Sequence, residues 1–380
     1  MRNRTLLLCL TCSLGLGTAH ATLTVGKCTS ARNPYATISE AIKEAPAYGE
    51  IQVCPGTYPE QLTIDKPVTI TGLVIEGQPG VTITAPATGL VQLPGLYSTY
   101  AQIFADNVGG PVNLSNLTVR AGSFSTEYGT FDLSAACNFI SDSAGVYFHN
   151  ARGTLDHFNI VGQYGNLSGS GDPSYEVSNC GNGMEFHNEK GTLVSVRQSA
   201  VIQAGFNGIF ASAELDADHN IVTVSGPGST GIWAGGGTIR ENLITASSDY
   251  KSTGIVGGDL VEGNMVQSGA YGITGATKVA RNMLLNNSIS IAGGAATENM
   301  IYARRTYLDP TSPACQDGAG GSACYLATVG IDLQCSSHAD LKNNGIFDVG
   351  VGLANVPARE SIPASNLFTG DSVISTSCSQ

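Results

Sequence analysis

An asparagine followed by two apolar residues recurs through the middle of the chain: Asn220-Ile221-Val222, Asn242-Leu243-Ile244, Asn264-Met265-Val266, Asn282-Met283-Leu284 and Asn299-Met300-Ile301. Successive asparagines stand 22, 22, 18 and 17 residues apart. Two more marks keep the same phase. Gly-Ile begins at Gly208, Gly231, Gly254 and Gly272, and Ala217, Ile239, Val261, Val279 and Ala296 each lie three residues before an Asn. After an insert the pattern returns at Leu341, Asn344 and Ile346. A unit of about 20 residues confines the chain to a solenoid. A leucine-rich repeat needs a leucine skeleton and usually a helical stretch, and neither is present. The units are short strand and turn throughout. The expected fold is therefore all-β, a single-stranded parallel β-helix whose coils stack about 4.8 Å apart. In such a stack the asparagines form an internal hydrogen-bonded ladder at a bend, and the aliphatics fill a narrow core.

Composition agrees with turns at short intervals. Gly numbers 48 of 380, against a usual share of about 7 %, and charged residues make up 13 %. The first residues read as an export signal: Arg2 and Arg4, an apolar run from Leu6 to Leu16, and Ala19-His20-Ala21 before the expected cut. No later apolar run is long enough for a membrane span. Removing Cys9 and Cys12 with the signal leaves eight cysteines, an even number that implies disulfides outside the cytoplasm. Cys28–Cys54 and Cys315–Cys324 are the easiest local pairs, though connectivity is not fixed by sequence. No Cys or His spacing fits zinc. A net charge of −12 excludes nucleic acid and anionic membrane as partners.

"YATISEAIKEAP" at 35–46 is amphipathic, with Ile38, Ala41, Ile42 and Ala45 on one face. The strand-like "EIQVCPGTYPEQLTIDKPVTITG" follows, with Gly56, Tyr58 and Glu60 in a GxYxE pattern. With "NLSNLTVRAG" at 113–122, this opening resembles pectin methylesterases and their pectin lyase-like relatives. The resemblance implies a right-handed parallel β-helix over residues 35–350 with a helical N-terminal cap. Together with the export signal and the loss of the ladder after about residue 350, this gives the expected layout 1–21 signal, 22–50 cap, 51–350 β-helix and 351–380 C-terminal cap, held through Cys378. The resemblance does not extend to the esterase chemistry. The family's later catalytic signatures are not intact, and Asn138 stands where the nucleophilic aspartate would be in their nearest echo.

Four constellations carry candidate chemistry. The residues two before each ladder position, Arg197 (with Ser199 in the Asn place), Asp218, Arg240 and Glu262, alternate in sign. They read either as an ion-pair ladder or as a catalytic base and uronate clamp. Asp156 and His157 resemble a fragment of a pectate lyase segment, and whether Asp156 joins that column is left open. Glu214, Asp216 and Asp218 alternate on one strand face and could hold Ca²⁺, the one cofactor considered. Tyr147, Glu185, Phe210 and Trp233 follow the inward residues of the Gly-Ile phase, so they should point outward as a column, with His149 and His187 two residues further on. Displayed ring faces one coil apart would suit stacking on sugars; the alternative is that inserts cover them. Residues 85–110, 162–180 and 303–327 break the phase and read as loops. Asn113, Asn116, Asn166 and Asn286 begin glycosylation sequons. The functional expectation is a secreted monomer that recognises or processes an extracellular, acidic polysaccharide, by lyase or hydrolase chemistry where it is catalytic. The alternative is a non-catalytic structural solenoid.

Overall fold

A computed structural model describes residues 22–30, 33–96, 99–120, 123–126, 129–132, 142–163, 181–226, 228–246, 252–268, 270–302, 328–335, 340–356, 362–369, 373–374 and 378. The chain is a right-handed parallel β-helix. Each coil supplies three strands, and equal strands of successive coils pair in parallel, giving three faces. The first face runs through Thr99–Asp106, Asp142–His149, Asn182–His187 and the leading halves of Asn207–Asp218 and Thr230–Arg240. Those two long strands continue round a bend into the second face, where Arg152–Asp156 and Leu193–Arg197 precede them. The third face holds Asn159–Val161, Ala200–Ala204, Ile221–Val224, Leu243–Thr245 and their successors.

The repeat marks explain how the faces close on a core. On the first face Val146, Met184, Ile209, Ile232, Ile255 and Ile273 are register partners, all fully buried. Val196, Ala217, Ile239 and Val261 do the same on the second face, and Val201, Val222, Ile244 and Val266 on the third. Each buried aliphatic side chain contributes about 1.5–3 kcal/mol against leaving it in water. The Gly before each Ile is required by this packing. A Cβ on Gly208 would lie 2.2 Å from Val222 Cγ1, and one on Gly254 would lie 2.1 Å from Val266 Cγ1.

The asparagines form the expected ladder at the corner between the second and third faces. The backbone N–H and side-chain Nδ2 of Asn242 both donate to Asn264 Oδ1 at 2.9 Å. The same double donation passes from Asn220 to Asn242, Asn264 to Asn282, Asn282 to Asn299, and Asn299 to Asn344. Ser199 does take the Asn place one coil earlier, with its N–H donating to Asn220 Oδ1. The residue before each ladder position is left-handed: His219 (φ 54°), Glu241 (φ 53°), Arg281 (φ 53°) and Glu298 (φ 57°). The ladder thus satisfies buried backbone at a corner that costs conformational energy.

At the N-terminus, helix Ile38–Glu44 lays Ile38, Ala41 and Ile42 on the core, with Ala45 beside them. The GxYxE pattern builds this cap. Glu60 accepts hydrogen bonds from the Ile38 and Ser39 backbone N–H groups at 2.9 Å each, and the buried Tyr58 hydroxyl donates to Cys54 O. Disulfide Cys28–Cys54 ties this end, and Cys335–Cys378 ties the other.

Two expectations change. Residues 85–110 are not one loop, because Thr99–Asp106 is a first-face strand in register with Asp142–His149. The coil stack also does not stop near 350. Asn344 donates to Asn366 Oδ1, and Leu367–Thr369 pairs with Gly345–Phe347. The residues around Asn366 lack the Gly-Ile mark, so the sequence pattern does not show the ladder there. The export signal, Asn138, Asn166, Cys137, Cys180, the Cys315–Cys324 pair and the third insert lie outside the described residues. Among the described residues no helix is long and apolar enough to cross a membrane.

Candidate functional site

The outward column of the first face is Phe104, Tyr147, Glu185, Phe210, Trp233 and Val256 in strict register. The rings themselves stack along the solenoid. Phe104 and Tyr147 centroids are 6.1 Å apart, Tyr147 and His187 are stacked at 4.9 Å, His187 and Phe210 lie 5.0 Å apart, and Phe210 and Trp233 are stacked at 4.7 Å. His187 fills the ring position in its coil because Glu185 holds the register place beside it. The expectation of displayed ring faces is therefore corrected. Coil spacing matches ring stacking, so the rings cover one another's faces and present edges outward. At the half-exposed end of the stack, Trp233 has a face with no ring beyond it among the described residues, since its next register partner is Val256.

Burial falls along the column. Tyr147 is covered by Leu93 and Leu96, which pack on it with Phe104, Ala101 and Ala144. Gln61 pins that covering segment: its amide donates to Val91 O and Ala101 O, and its Oε1 accepts from Val91 N–H. Glu185 is also buried, whereas Phe210 and Trp233 are half-buried. Beyond Trp233 the column drops to Val256, Thr274 and Ala292. Trp233 consequently stands as a wall at the end of a low track of small side chains.

Beside the stack lies a second row, Asp106, His149 and His187, also in register. His149 Nδ1 is 2.8 Å from Asp106 Oδ1, and both side chains are about one-third exposed. Asn107 Nδ2 donates to Asp106 Oδ1 at 2.8 Å, and Asn107 Oδ1 accepts from Asn150 Nδ2. One coil on, His187 Nε2 is 3.7 Å from Glu185 Oε2. Two histidines, each against a carboxylate, thus sit one coil apart with Tyr147 stacked on one of them. The sequence pattern does not single out Asp106, because its strand Thr99–Asp106 carries none of the repeat marks. Its signal was the register it shares with His149.

The charged column sits elsewhere, at the end of the second face beside the Asn corner. Asp156, Arg197, Asp218, Arg240 and Glu262 are consecutive register partners, so Asp156 joins the column. The sequence repeat misaligned it because Thr154 pairs with Ser195 rather than Thr192. Arg197 Nη2 donates to Asp216 Oδ2 at 2.8 Å, and Arg240 Nε to Asp218 Oδ1 at 3.1 Å. His157 lies 3.2 Å from Asp156, and Arg281 pairs with Glu262. Burial pushes the Asp218 carboxyl up, but hydrogen bonds from His219 and Arg240, and their charges, outweigh it and hold it below the usual range. Arg240 is held more firmly protonated by its hydrogen bond to Asp218, the opposite of what a general base needs. Among Glu214, Asp216 and Asp218, arginines balance the last two. Asp218, His219 and Glu241 also converge within 4.8 Å, the metal-capable group found among the described residues. There the two ring nitrogens already face carboxylates, Nδ1 at 2.8 Å from Asp218 and Nε2 at 2.5 Å from Glu241. The structure therefore brings the aromatic column, Glu185, His149 and His187 together, and keeps the arginine column apart from them.

No known family profile and no curated protein matches the sequence. Among solved structures, the A-module of mannuronan C-5 epimerase AlgE4 from Azotobacter vinelandii aligns over 90 % of this chain and 94 % of its own, at 11 % identity and a TM-score of 0.41. Pectin methylesterase from Aspergillus niger aligns over 80 % and 91 %, at 15 % identity and 0.36. Pectin methylesterase PemA from Erwinia chrysanthemi aligns over 92 % and 93 %, at 12 % identity and 0.35. The likeness is one of fold alone.

Proposed function

We propose that this chain binds an extended, acidic polysaccharide along its first face and acts on it by general acid–base chemistry. The observation that carries the reading is the Asp106–His149 pair beside Glu185–His187, one coil apart, with His187 packed on Phe210 where the aromatic stack becomes half-exposed. In this reading Asp106 holds the His149 ring through Nδ1, which leaves Nε2 as the proton-transfer atom. His187, backed by Glu185 and braced between Tyr147 and Phe210, supplies the second proton-transfer group. A sugar ring lies against the open face of Trp233, two coil spacings (~10 Å) from the His187 coil and three (~14 Å) from the His149 coil. Elimination and hydrolysis both need one group to take a proton and another to protonate the leaving oxygen, and this pair provides both roles. Secretion is part of the proposal, since the disulfides need an oxidising compartment to persist.

The test is a panel of uronate-containing and neutral polysaccharides, assayed for new reducing ends and for unsaturated products. The expected result is product from a uronate polymer with the native chain, and a loss of about 10²-fold or more with His149→Ala. No product and no binding across the panel would overturn the reading. Binding without product, unchanged by His149→Ala, would leave recognition and remove catalysis.

A further inference from the structure

The third face carries an outward row that belongs to neither the core nor the proposed site. Ile221, Leu243, Met265, Met283, Met300 and Leu367 stack through successive coils, with Gly345 between the last two. All are large and apolar, and all but the half-buried Met283 are open to solvent, from 40 % exposed at Met265 to 56 % at Leu367. The adjoining outward row adds Leu285, Tyr302 and Phe347, with the last two rings 6.5 Å apart. Neither row contains a charged residue. Six coil steps at about 4.8 Å make the strip roughly 29 Å long. A continuous apolar strip of this length is larger than scattered surface hydrophobics account for and marks an interaction surface.

We propose that this face is the contact between two copies of the chain, packed antiparallel about a two-fold axis along the strand direction. The charges at the edge of the strip decide the occupant and the direction. The Asn corner beside it carries both signs in a fixed order: Asp218 and His219, then Arg240 and Glu241, then Glu262, then Arg281, then Glu298, then Lys342. Parallel packing through a two-fold would send the two charged edges to opposite sides. Antiparallel packing brings them together. With the axis between the Met265 and Met283 coils, Glu262 of one copy faces Arg281 of the other, Arg240 faces Glu298, and Asp218 faces Lys342. The Glu262–Arg281 and Asp218–Lys342 juxtapositions are attractive, and Glu298 meets Arg240 together with Glu241, a like charge that His219 of its own copy already engages. A monomer is expected from the sequence, and the register of these rows is the ground for proposing otherwise. With its charged rim the strip covers on the order of 600 Å² a side, below the ~800 Å² of a standard interface, so the dimer is weak and forms at micromolar concentration.

Sedimentation of the whole chain tests this, using variants outside the hydrophobic core. The native chain should shift from monomer to dimer as concentration rises to about 100 µM. Met265→Glu, next to the axis, should raise the dissociation constant by more than about tenfold while leaving the melting midpoint unchanged. Lys342→Glu should weaken the dimer, and Lys342→Glu combined with Asp218→Lys should restore part of the loss, a rescue that a merely hydrophobic contact would not show. A native chain that stays monomeric over the whole range overturns the proposal. So does a dimer indifferent to Met265→Glu, or a monomer whose strip instead binds neutral lipid vesicles in a Met265-dependent way.

Discussion

Asn264 shows how much a single side chain carries. Its Oδ1 accepts two hydrogen bonds from Asn242, and its Nδ2 donates to Ile239 O, Glu262 O and Asn282 Oδ1. Asn264→Ala strands several of these buried groups without water, each costing about 1–3 kcal/mol. The expected loss is on the order of 3–5 kcal/mol in urea denaturation, whereas Leu243→Ala on the exposed row should cost under about 1 kcal/mol. Gly254→Ala tests the packing side of the same corner. Its methyl would meet Val266 Cγ1 at 2.1 Å, so overpacking should cost about 1–3 kcal/mol despite the general benefit of replacing Gly. Asp218 gives the acid limb. Its folded-state pKa lies below the unfolded one, so its stabilisation is complete above about pH 4 and is lost as pH falls through the lowered value. Asp218→Asn should flatten the decline of melting midpoint on acidification, by a fraction of a kcal/mol because the Arg240 partner is half-exposed and screened by solvent. An unchanged acid limb would remove Asp218 from the linkage.

Among the elements, the strands with the three repeat marks were legible in the sequence, and those without them were not. Coils from Asn207 onward combine Gly-Ile, an inward aliphatic and an Asn, which together fix the phase of every face. Thr99–Asp106 has no glycine, with Gln102 buried in its place, so its strand character shows only through its register with Asp142–His149. Asp106 was lost with it. The outward direction of Tyr147, Glu185, Phe210 and Trp233 followed from alternation, but the use of the ring faces did not, because stacking depends on the spacing between coils. Nor does alternation reveal that the segment around Leu93 covers Tyr147. That cover depends on Gln61, which holds Val91 by both ends of its amide. Gln61→Ala should release the segment, seen as faster hydrogen exchange at Val91 and as nitration of Tyr147. Protection equal to the native chain at both positions would show that apolar packing alone holds it.

For the whole molecule, stability is built coil by coil. Asn242 and Asn264 are 22 residues apart and interchangeable in the ladder. Removing residues 243–264 should leave a folded, shorter solenoid in which Asn242 donates to Asn282, while removing half as many residues breaks register on every face. Retention of a cooperative melt in both deletions would contradict a phase-locked stack. The same continuity places the proposed site on one face, the charged corner on another edge and the apolar strip on the third, so a ligand and a second copy do not compete for surface. The chain has one tryptophan, and it stands at the open end of the aromatic stack. Its emission therefore reports on the proposed site without a label. Titration with uronate polysaccharides should give a saturable shift or quench of Trp233 fluorescence, reduced at least about tenfold in apparent affinity by Phe210→Ala, which removes the ring that braces it. Emission that stays constant through the titration, while a catalytic product appears or the polymer binds by another readout, would contradict a substrate track along the first face.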